Sequence, residues 1–270
     1  MRRQLNIPIL MYHSISDHAS ARFRSFAVPV SLFAEQMARL QSLGYTALTI
    51  TQLVGALVSK KNALPERPVA ITFDDGFADV FSEALPILQR HGFTATVYIT
   101  TGYIDGTAKW LAAEGEAERR LLSWDLIREL HAAGIECGAH SHTHPQLDVL
   151  PALRAKEEIV RSKKILEDRL QAEVASFAYP FGYYTKAVRR AVQNAGFTSA
   201  CAVKFALSSK ESDHFALARL KVGPDTSGER LDSLLSGRTS PATLASRART
   251  PAWQLVRRCS AWLKEDGARC

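Results

Sequence analysis

Apolar and polar positions alternate along this chain in a way that predicts strands and helices in turn. From residue 7 to about residue 203, short runs of β-branched and aromatic residues are separated by longer segments with helical spacing. This alternation is typical of a parallel sheet or barrel whose strands are joined by helices. The predicted strands are residues 7–13, 68–73, 94–100, 135–140, 175–180 and 199–203.

Five segments repeat their apolar residues at helical spacing. In the first, Phe33, Met37, Leu40 and Leu43 recur at that spacing, and Gly44 provides a stop. Four of the five end in Gly just past the last apolar turn, as helices commonly do. The predicted helices are residues 31–44, 79–92, 123–134, 153–170 and 186–196. The pattern therefore predicts one barrel-like α/β domain.

The pattern weakens after residue 204. Residues 215–222 predict a last strand, and we place the end of the domain near residue 235, with 236–270 as a basic amphipathic tail. From residue 251 the tail predicts a helix that carries two tryptophans and has an apolar face of Leu255, Val256, Cys259, Trp262 and Leu263. Such a helix could lie on a membrane surface or cover one end of the barrel.

Composition narrows the classes of function. The chain has 270 residues, which is long enough for a single α/β barrel. Its formal charge is +7. Its Lys and Arg residues are scattered over predicted helix faces, so we expect a solvated surface and no nucleic acid partner. A nucleic acid binder remains an alternative, although no aromatic and basic motif supports it.

Cysteine spacing and the N-terminus indicate a location. The four cysteines form no CxxC pair, which predicts neither a zinc knuckle nor a disulfide scaffold and favours a reducing compartment. The opening MRRQLNIPILMYHSI resembles an export signal, but its apolar run is short and is interrupted by Asn6 and Pro8. No segment has the apolar length of a membrane span. We therefore expect a cytoplasmic protein, with contact to the inner membrane face if the tail binds lipid.

Chemically distinctive residues fall where predicted strands end. His13, Asp74, Asp75 and His140 each follow such a strand. In α/β barrels the carboxyl ends of the strands meet at one rim, where loops converge on a single site. We therefore expect residues far apart in sequence to lie together there.

Two motifs carry the candidate chemistry. In HSHTH, an extended chain would place His140 and His144 on the same side, and two imidazoles with one carboxylate leave open positions on a metal ion. Asp75 could be that carboxylate, and Asp74 could then act as a general base. By themselves, DDG is compatible with a helix cap and turn, and the histidines with a polar surface loop.

These motifs resemble those of a known family. TFDDG at 72–76, HSHTH at 140–144 and FAYPFG at 177–182 look like the motifs of polysaccharide deacetylases of the NodB homology type, carbohydrate esterase family 4. The resemblance implies a distorted (β/α) barrel of about seven strands. It also implies a divalent metal, zinc with cobalt or manganese as alternatives, and hydrolysis of N-acetyl groups on a glycan.

The resemblance also implies residue roles. Asp74 is the expected base, and Asp75, His140 and His144 are the expected metal ligands. The third motif suggests a substrate groove and an oxyanion hole built from Tyr179, Pro180 and Phe181. Tyr183 and Trp124 are further candidates to stack on sugar rings.

Two departures from the family pattern matter. The motif arginine that orients the base is replaced by Ala178, and Arg219 is the candidate substitute and substrate contact. The late histidine that acts as general acid is missing. The opening MYHSI instead resembles a poly-N-acetylglucosamine deacetylase subgroup with a permuted barrel, which makes His13 the expected acid. The missing arginine leaves one alternative open, a carbohydrate-binding relic without turnover.

Overall fold

The computed structural model describes residues 6–59, 64–209 and 211–237. The predicted tail helix from residue 251 lies outside the described residues. No helix of the described ranges is long and apolar enough to cross a membrane.

The described residues form a strand-rich centre with helices around it. The strands are β1 (Ile9–Tyr12), β2 (Ser14–Ile15), β3 (Ala27–Val28), β4 (Thr46–Leu48), β5 (Pro68–Phe73), β6 (Thr96–Ile99), β7 (Glu136–Ala139), β8 (Ser176–Ala178), β9 (Ser199–Cys201) and β10 (Leu220–Lys221). The α-helices are α1 (Val30–Ser42), α2 (Ile50–Val58), α3 (Leu85–Arg90), α4 (Trp124–Ala132), α5 (Ala152–Leu170), α6 (Lys186–Asn194) and α7 (Gly228–Leu235). A π-helical turn, Val80–Ala84, precedes α3.

The main sheet is parallel and curls into a half-barrel. Its strands follow the order β10, β1, β5, β6, β7, β8, β9, and the short β4 pairs with the start of β5. Every residue of β5 is buried, as expected for a parallel strand covered on both faces. The predicted distorted (β/α) barrel is therefore confirmed, and its carboxyl edge gathers the chemically distinctive residues.

One segment near the C-terminal end of the described chain spans the gap between the outer strands. Leu217 forms a parallel bridge with Cys201 of β9, and Leu220 then pairs with Leu10 of β1. The strand predicted over 215–222 is thus shortened to β10, because the chain must move from one edge of the sheet to the other. Arg219 lies between these two contacts and is fully buried.

Several elements escaped the sequence prediction. Helix α2 begins with a capping box between Thr49 and Gln52, a signal that was readable in the sequence. The short pair β2–β3 and the largely irregular segment 101–122 lacked any clear periodicity. These last two segments matter because they form one wall of the cavity described below. Cys137 and Cys201 are buried and free.

Candidate active site

The aspartate pair stands at the end of β5. Asp74 and Asp75 are only 3% and 5% exposed, so both carboxylates are withdrawn from water. Asp75 has a left-handed backbone with φ of 74°, and Gly76 continues with φ of 79°. Asp tolerates this conformation better than bulky residues do, and Gly adopts it freely. The sharp turn lets the carboxylates face different partners, Arg219 for Asp74 and two histidines for Asp75.

Arg219 holds Asp74 in a two-pronged ion pair. Its Nη1 donates to Asp74 Oδ1 at 2.6 Å and its Nη2 to Oδ2 at 2.7 Å. Nη1 also donates to Thr72 Oγ1, and Nε donates to the carbonyl of Ala202. Burial alone would raise the pKa of Asp74, but the charges of Arg219 and His140 and the hydrogen bond from Arg219 outweigh it and lower the pKa. Asp74 is therefore an oriented, ionised carboxylate.

The two outer histidines of HSHTH meet Asp75. His140 Nε2 lies 3.4 Å and His144 Nε2 3.1 Å from the same atom, Asp75 Oδ1. His140 is 1% exposed and His144 8% exposed, and one candidate ligand atom from each of the three residues lies within 4.8 Å of the others. Burial would raise the pKa of Asp75, but the charge of His144 and hydrogen bonds from both histidines hold it well below its usual range. The arrangement gathers two imidazoles and one carboxylate.

The tautomer of His140 shows that this donor set fits a cation. Its Nδ1 lies 2.8 Å from the carbonyl oxygen of Ala178, which can only accept, so Nδ1 carries the proton. Nε2 of His140 then either carries a second proton and donates to Asp75 or, once that proton is lost, presents a lone pair beside the carboxylate. Two lone pairs that face each other repel, whereas a divalent cation between them would be bound by both. The fit supports a metal site at Asp75, His140 and His144.

Glu158 of α5 holds the histidine loop in place. Its Oε2 accepts hydrogen bonds from the backbone N–H groups of His142 and Thr143 at 2.9 and 2.7 Å. Its Oε1 accepts a third from Thr143 Oγ1 at 2.7 Å. Ser141 and His144 both have positive φ values, of 63° and 59°, which are costly for residues with side chains. The carboxylate of Glu158 thus stabilises a strained loop that aims two histidines at Asp75.

Gly102 packs against the same loop from the other side. Its N–H donates to the carbonyl of His142 at 2.7 Å, and a Cβ at this position would lie 2.6 Å from that oxygen. Only glycine permits this approach without a shift of backbone. The middle histidine, His142, turns away from Asp75 and contacts Thr101 Oγ1 through Nδ1 at 3.0 Å.

A cavity of about 330 Å³ opens above these residues. Asp74, Asp75, His140 and His144 form part of its lining, and aromatic side chains form much of the rest. Phe23 and Phe26 come from the segment between β2 and β3. Trp110 comes from the segment 101–122 and stacks on His144 with ring centroids 5.1 Å apart. Phe181 approaches His144 from the other side at 4.8 Å.

His13 also lines this cavity. Its ring packs edge-on against Phe26 with centroids 4.9 Å apart, and its Nδ1 is buried without a hydrogen-bond partner among the described residues. Burial lowers the pKa of His13 to about 4, although the carboxylates of Asp75 and Asp74 oppose that effect. His13 thus lies in the same cavity as Asp74 and the candidate metal ligands, and its role as acid stays a prediction.

Comparison with known proteins adds the family. A family model described as polysaccharide deacetylase matches residues 61–200, just over half of the chain. The chain belongs to the polysaccharide deacetylase family. The match spans both metal-type motifs and the FAYPFG segment.

Relatives and solved structures agree with this assignment. The YxkH protein of Bacillus subtilis (strain 168) is 28% identical over 222 residues, which cover 82% of this chain and 73% of YxkH. The poly-beta-1,6-N-acetyl-D-glucosamine N-deacetylase of Staphylococcus aureus (strain MRSA252) is 23% identical over 216 residues, 77% of this chain and 71% of that protein. The Streptococcus pyogenes deacetylase PplD in complex with acetate is 26% identical with a TM-score of 0.74, covering 86% of this chain and 99% of PplD.

Not every residue predicted to touch substrate lines the cavity of this polysaccharide deacetylase. Tyr179 is fully buried, stacks on Tyr184 and donates its hydroxyl to the carbonyl of Phe215 at 3.0 Å. Trp124 starts α4 and lies under the guanidinium of Arg169, outside the cavity. The structure therefore gives both aromatics packing roles.

Of the other residues predicted to contact substrate, some line the cavity and some do not. Phe181 is 47% exposed and lines the cavity with Tyr183, whereas Pro180 is buried beneath them. Arg219 is fully buried and pairs with Asp74, as expected of a substitute for the motif arginine, and it does not line the cavity.

Sequence reasoning missed much of the aromatic wall in this polysaccharide deacetylase. Phe23, Phe26 and Trp110 lie in segments without helical or strand periodicity, so no pattern assigned them to a face. Glu114 of the lining was missed for the same reason, whereas Lys221 lies in the predicted strand 215–222 but was not assigned to the site. A tryptophan within the mostly small and polar stretch GTAKWLAAEG was the one available signal.

Proposed function

We propose that this chain is a divalent-metal-dependent hydrolase that removes N-acetyl groups from an N-acetylated sugar of a polysaccharide, oligosaccharide or lipid-linked glycan. The observation that carries the proposal is the oriented carboxylate of Asp74 beside the donor set of Asp75, His140 and His144. Membership of the polysaccharide deacetylase family and similarity to a poly-beta-1,6-N-acetyl-D-glucosamine N-deacetylase support the same chemistry.

Asp75, His140 and His144 are the residues that would hold the metal, zinc by the chemistry of two nitrogens and one oxygen. When bound, such a cation supplies Lewis acidity toward an amide carbonyl and makes water easier to deprotonate. Cobalt and manganese accept related ligand sets.

Asp74 is the proposed base. Its carboxylate is ionised and fixed by two hydrogen bonds from Arg219, so it can accept a proton from an attacking water without first reorienting. The aromatic walls exclude bulk solvent around it and place Phe181 and Tyr183 where a sugar ring can stack.

His13 is the proposed donor to the leaving nitrogen. With a pKa of about 4 it enters the reaction neutral, so it must first gain a proton. The proton that Asp74 removes from water is a sufficient source, and its transfer to the amine balances the hydrolysis. The amide C–N bond breaks, the acetyl carbon gains the hydroxyl and the nitrogen leaves as a free amine.

The alternative of a binding relic without turnover loses its main argument. That alternative rested on the absence of an arginine at position 178. Arg219, directly before β10, supplies a guanidinium to Asp74 instead, and the three candidate ligand residues lie together.

The test is release of acetate from N-acetylglucosamine oligomers by enzyme loaded with zinc, cobalt or manganese, with mass spectrometry to count lost acetyl groups. Asp74→Asn should abolish turnover and leave the metal bound, because Asp74 is not one of the ligands. His140→Ala should lose both turnover and metal. A useful control is Asp232→Asn, because Asp232 forms a similar two-pronged pair with Arg39 on the exposed surface.

Full turnover in Asp74→Asn would remove Asp74 as the base. Retention of metal in His140→Ala with normal affinity would remove the proposed ligand set. Failure of every acetylated glycan to release acetate would overturn the proposed function itself.

A further inference from the structure

Lys221 of β10 presents to the cavity an ammonium group that has no carboxylate partner among the described residues. It lies two residues after Arg219, and successive residues of an extended chain alternate in direction, so both side chains point to the same side. Arg219 reaches Asp74 in the barrel interior, whereas Lys221 stands nearer the rim and lines the cavity. Its Nζ lies 3.6 Å from the centroid of the Phe26 ring and 3.4 Å from Ser25 Oγ.

The ammonium group of Lys221 lacks a counter-charge among the described residues. Lys221 forms no ion pair with a carboxylate among residues 6–59, 64–209 and 211–237, and the nearby Asp225 pairs with Arg230. Burial lowers the pKa of Lys221 to about 8, with Asp225 opposing the effect. The contact with the Phe26 ring offsets only part of the free energy that the ammonium group of Lys221 loses when it leaves water. Arg219 differs, since a carboxylate matches its charge.

A charged group that is partly desolvated and aimed into a substrate cavity is best explained by a partner that arrives with the substrate. We propose that Lys221 binds an anionic group, a phosphate or a carboxylate, on the N-acetylated sugar, so that acidic amino sugars are the preferred substrate class. This inference rests on the proposed function and narrows it. Lys221 is a specificity residue on the wall of the cavity and takes no part in bond cleavage.

Glu114 is the other charged residue of the wall that is neither a candidate ligand nor the base. It comes from the segment that carries Trp110 and does not form an ion pair with Lys221. An anionic substituent would therefore be attracted to the side of Lys221 and Phe26 and repelled from the side of Glu114. The two charges together would fix the direction in which an acidic sugar enters.

The experiment compares neutral and acidic substrates of equal length. The probes are a tetramer of N-acetylglucosamine, the same tetramer carrying a 6-phosphate, and an alternating tetramer of N-acetylglucosamine and N-acetylmuramic acid. The wild type should show a higher kcat/KM for acetate release from at least one acidic tetramer. Lys221→Met, which keeps the length of the side chain, should lower that kcat/KM by at least about tenfold and change the neutral value by less than about threefold. The phosphate and muramic arms distinguish the two sources of charge.

Lys204→Met is the matched control. Lys204 also carries its ammonium over an aromatic ring, that of Tyr184, at 5.7 Å from the centroid, but it does not line the cavity. It should leave the preference unchanged. Lys221→Arg keeps the charge and should retain most of the preference, which guards against a folding defect in the Met variant.

Three results would overturn the inference. These are equal use of neutral and acidic tetramers by the wild type, equal loss on both in Lys221→Met, and no loss on either. If neutral tetramers are hydrolysed as well as acidic ones, the proposed function stands and this inference falls. If no tetramer releases acetate, calorimetric binding of the neutral and phosphorylated tetramers to metal-loaded Asp74→Asn still decides, because equal affinities would exclude the role of Lys221.

Discussion

At the scale of single residues, the buried pair of Asp74 and Arg219 decides how the site works. A lone buried carboxylate would tend to take up a proton, because desolvation disfavours its charge. The guanidinium of Arg219 reverses that tendency and fixes both oxygens. The proposed base is therefore ionised and oriented by a residue that is itself fully buried.

Arg219→Lys should separate charge from geometry. A lysine keeps the positive charge but cannot form the fork that bonds both oxygens of Asp74. We expect kcat to fall by about 10- to 100-fold. Because the hydrogen bonds from Arg219 help to lower the pKa of Asp74, loss of one of them should raise that pKa and move the acidic limb of the pH–kcat/KM profile to higher pH. Metal content should stay at the wild-type level.

Arg39→Lys provides the control, since Arg39 forms the same fork with Asp232 at the exposed surface. It should change neither kcat nor the pH profile. An Arg219→Lys enzyme with an unmoved acidic limb would show that Asp74 does not depend on Arg219.

The sequence indicated the two sides of this pair with unequal clarity. TFDDG and HSHTH are local motifs, so the proposed base and ligands stood out in short stretches, whereas Arg219 could be named only as a candidate substitute for the missing motif arginine. Arg219 is 145 residues away from Asp74, and its contact depends on how β10 closes the barrel. Tyr179 and Trp124 illustrate the opposite problem, because an aromatic residue that fills a core has the same local pattern as one that stacks on sugar.

At the scale of elements, the histidine loop depends on a helix that contributes no ligand. The loop between β7 and α5 contains two residues in left-handed conformations, which cost free energy unless their surroundings hold them. Glu158 provides that support from α5 through three hydrogen bonds. The periodicity of α5 was predicted from the sequence, but its partner was not, since a glutamate on a polar helix face usually meets water.

Glu158→Gln should weaken metal binding more than it weakens the fold. In the wild type, three donors of the histidine loop share the charged carboxylate of Glu158. The Gln side chain would offer them a single neutral oxygen, so the loop should sample more conformations. We expect metal affinity to fall by about tenfold, in the range seen for residues that orient ligands. The change should be measured by zinc titration against a chromophoric chelator, alongside thermal unfolding of the metal-free protein.

Glu157→Gln is the matched control, because Glu157 precedes Glu158 on α5 and pairs only with Arg154 near the surface. It should bind zinc as the wild type does. Equal zinc affinity in all three proteins would mean that the loop keeps its shape without Glu158.

At the scale of the whole molecule, a partly buried polar cluster joins the two segments that wall the cavity. Asp79 accepts hydrogen bonds from Ser14 Oγ at 2.5 Å and from the N–H of Ile15 at 3.1 Å. Arg119 donates to Ser14 Oγ at 3.0 Å and lies over the rings of Phe23 and Phe77. Ser14 follows His13 directly, so the cluster links the proposed acid to the segment that carries Trp110. No local periodicity could have predicted contacts of this kind.

Asp79 should make the stability of the protein depend on pH. Burial raises its pKa from 3.8 to about 6, against hydrogen bonds from Ser14 and Ile15 and the charge of Arg119. The folded protein therefore holds a proton that the unfolded chain releases near pH 4. Stabilisation from this group is full below pH 4 and is lost as the pH rises through 6.

Between pH 7.0 and 4.5, the wild type should gain about 2 kcal/mol in unfolding free energy relative to Asp79→Asn, which cannot titrate. Urea unfolding of both metal-free proteins measures the difference, and Asp125→Asn, at an exposed site on α4, should show no such gain. A constant difference between wild type and Asp79→Asn over this range would mean that Asp79 is already ionised at pH 4.5 and that the cluster holds the two walls together through charge.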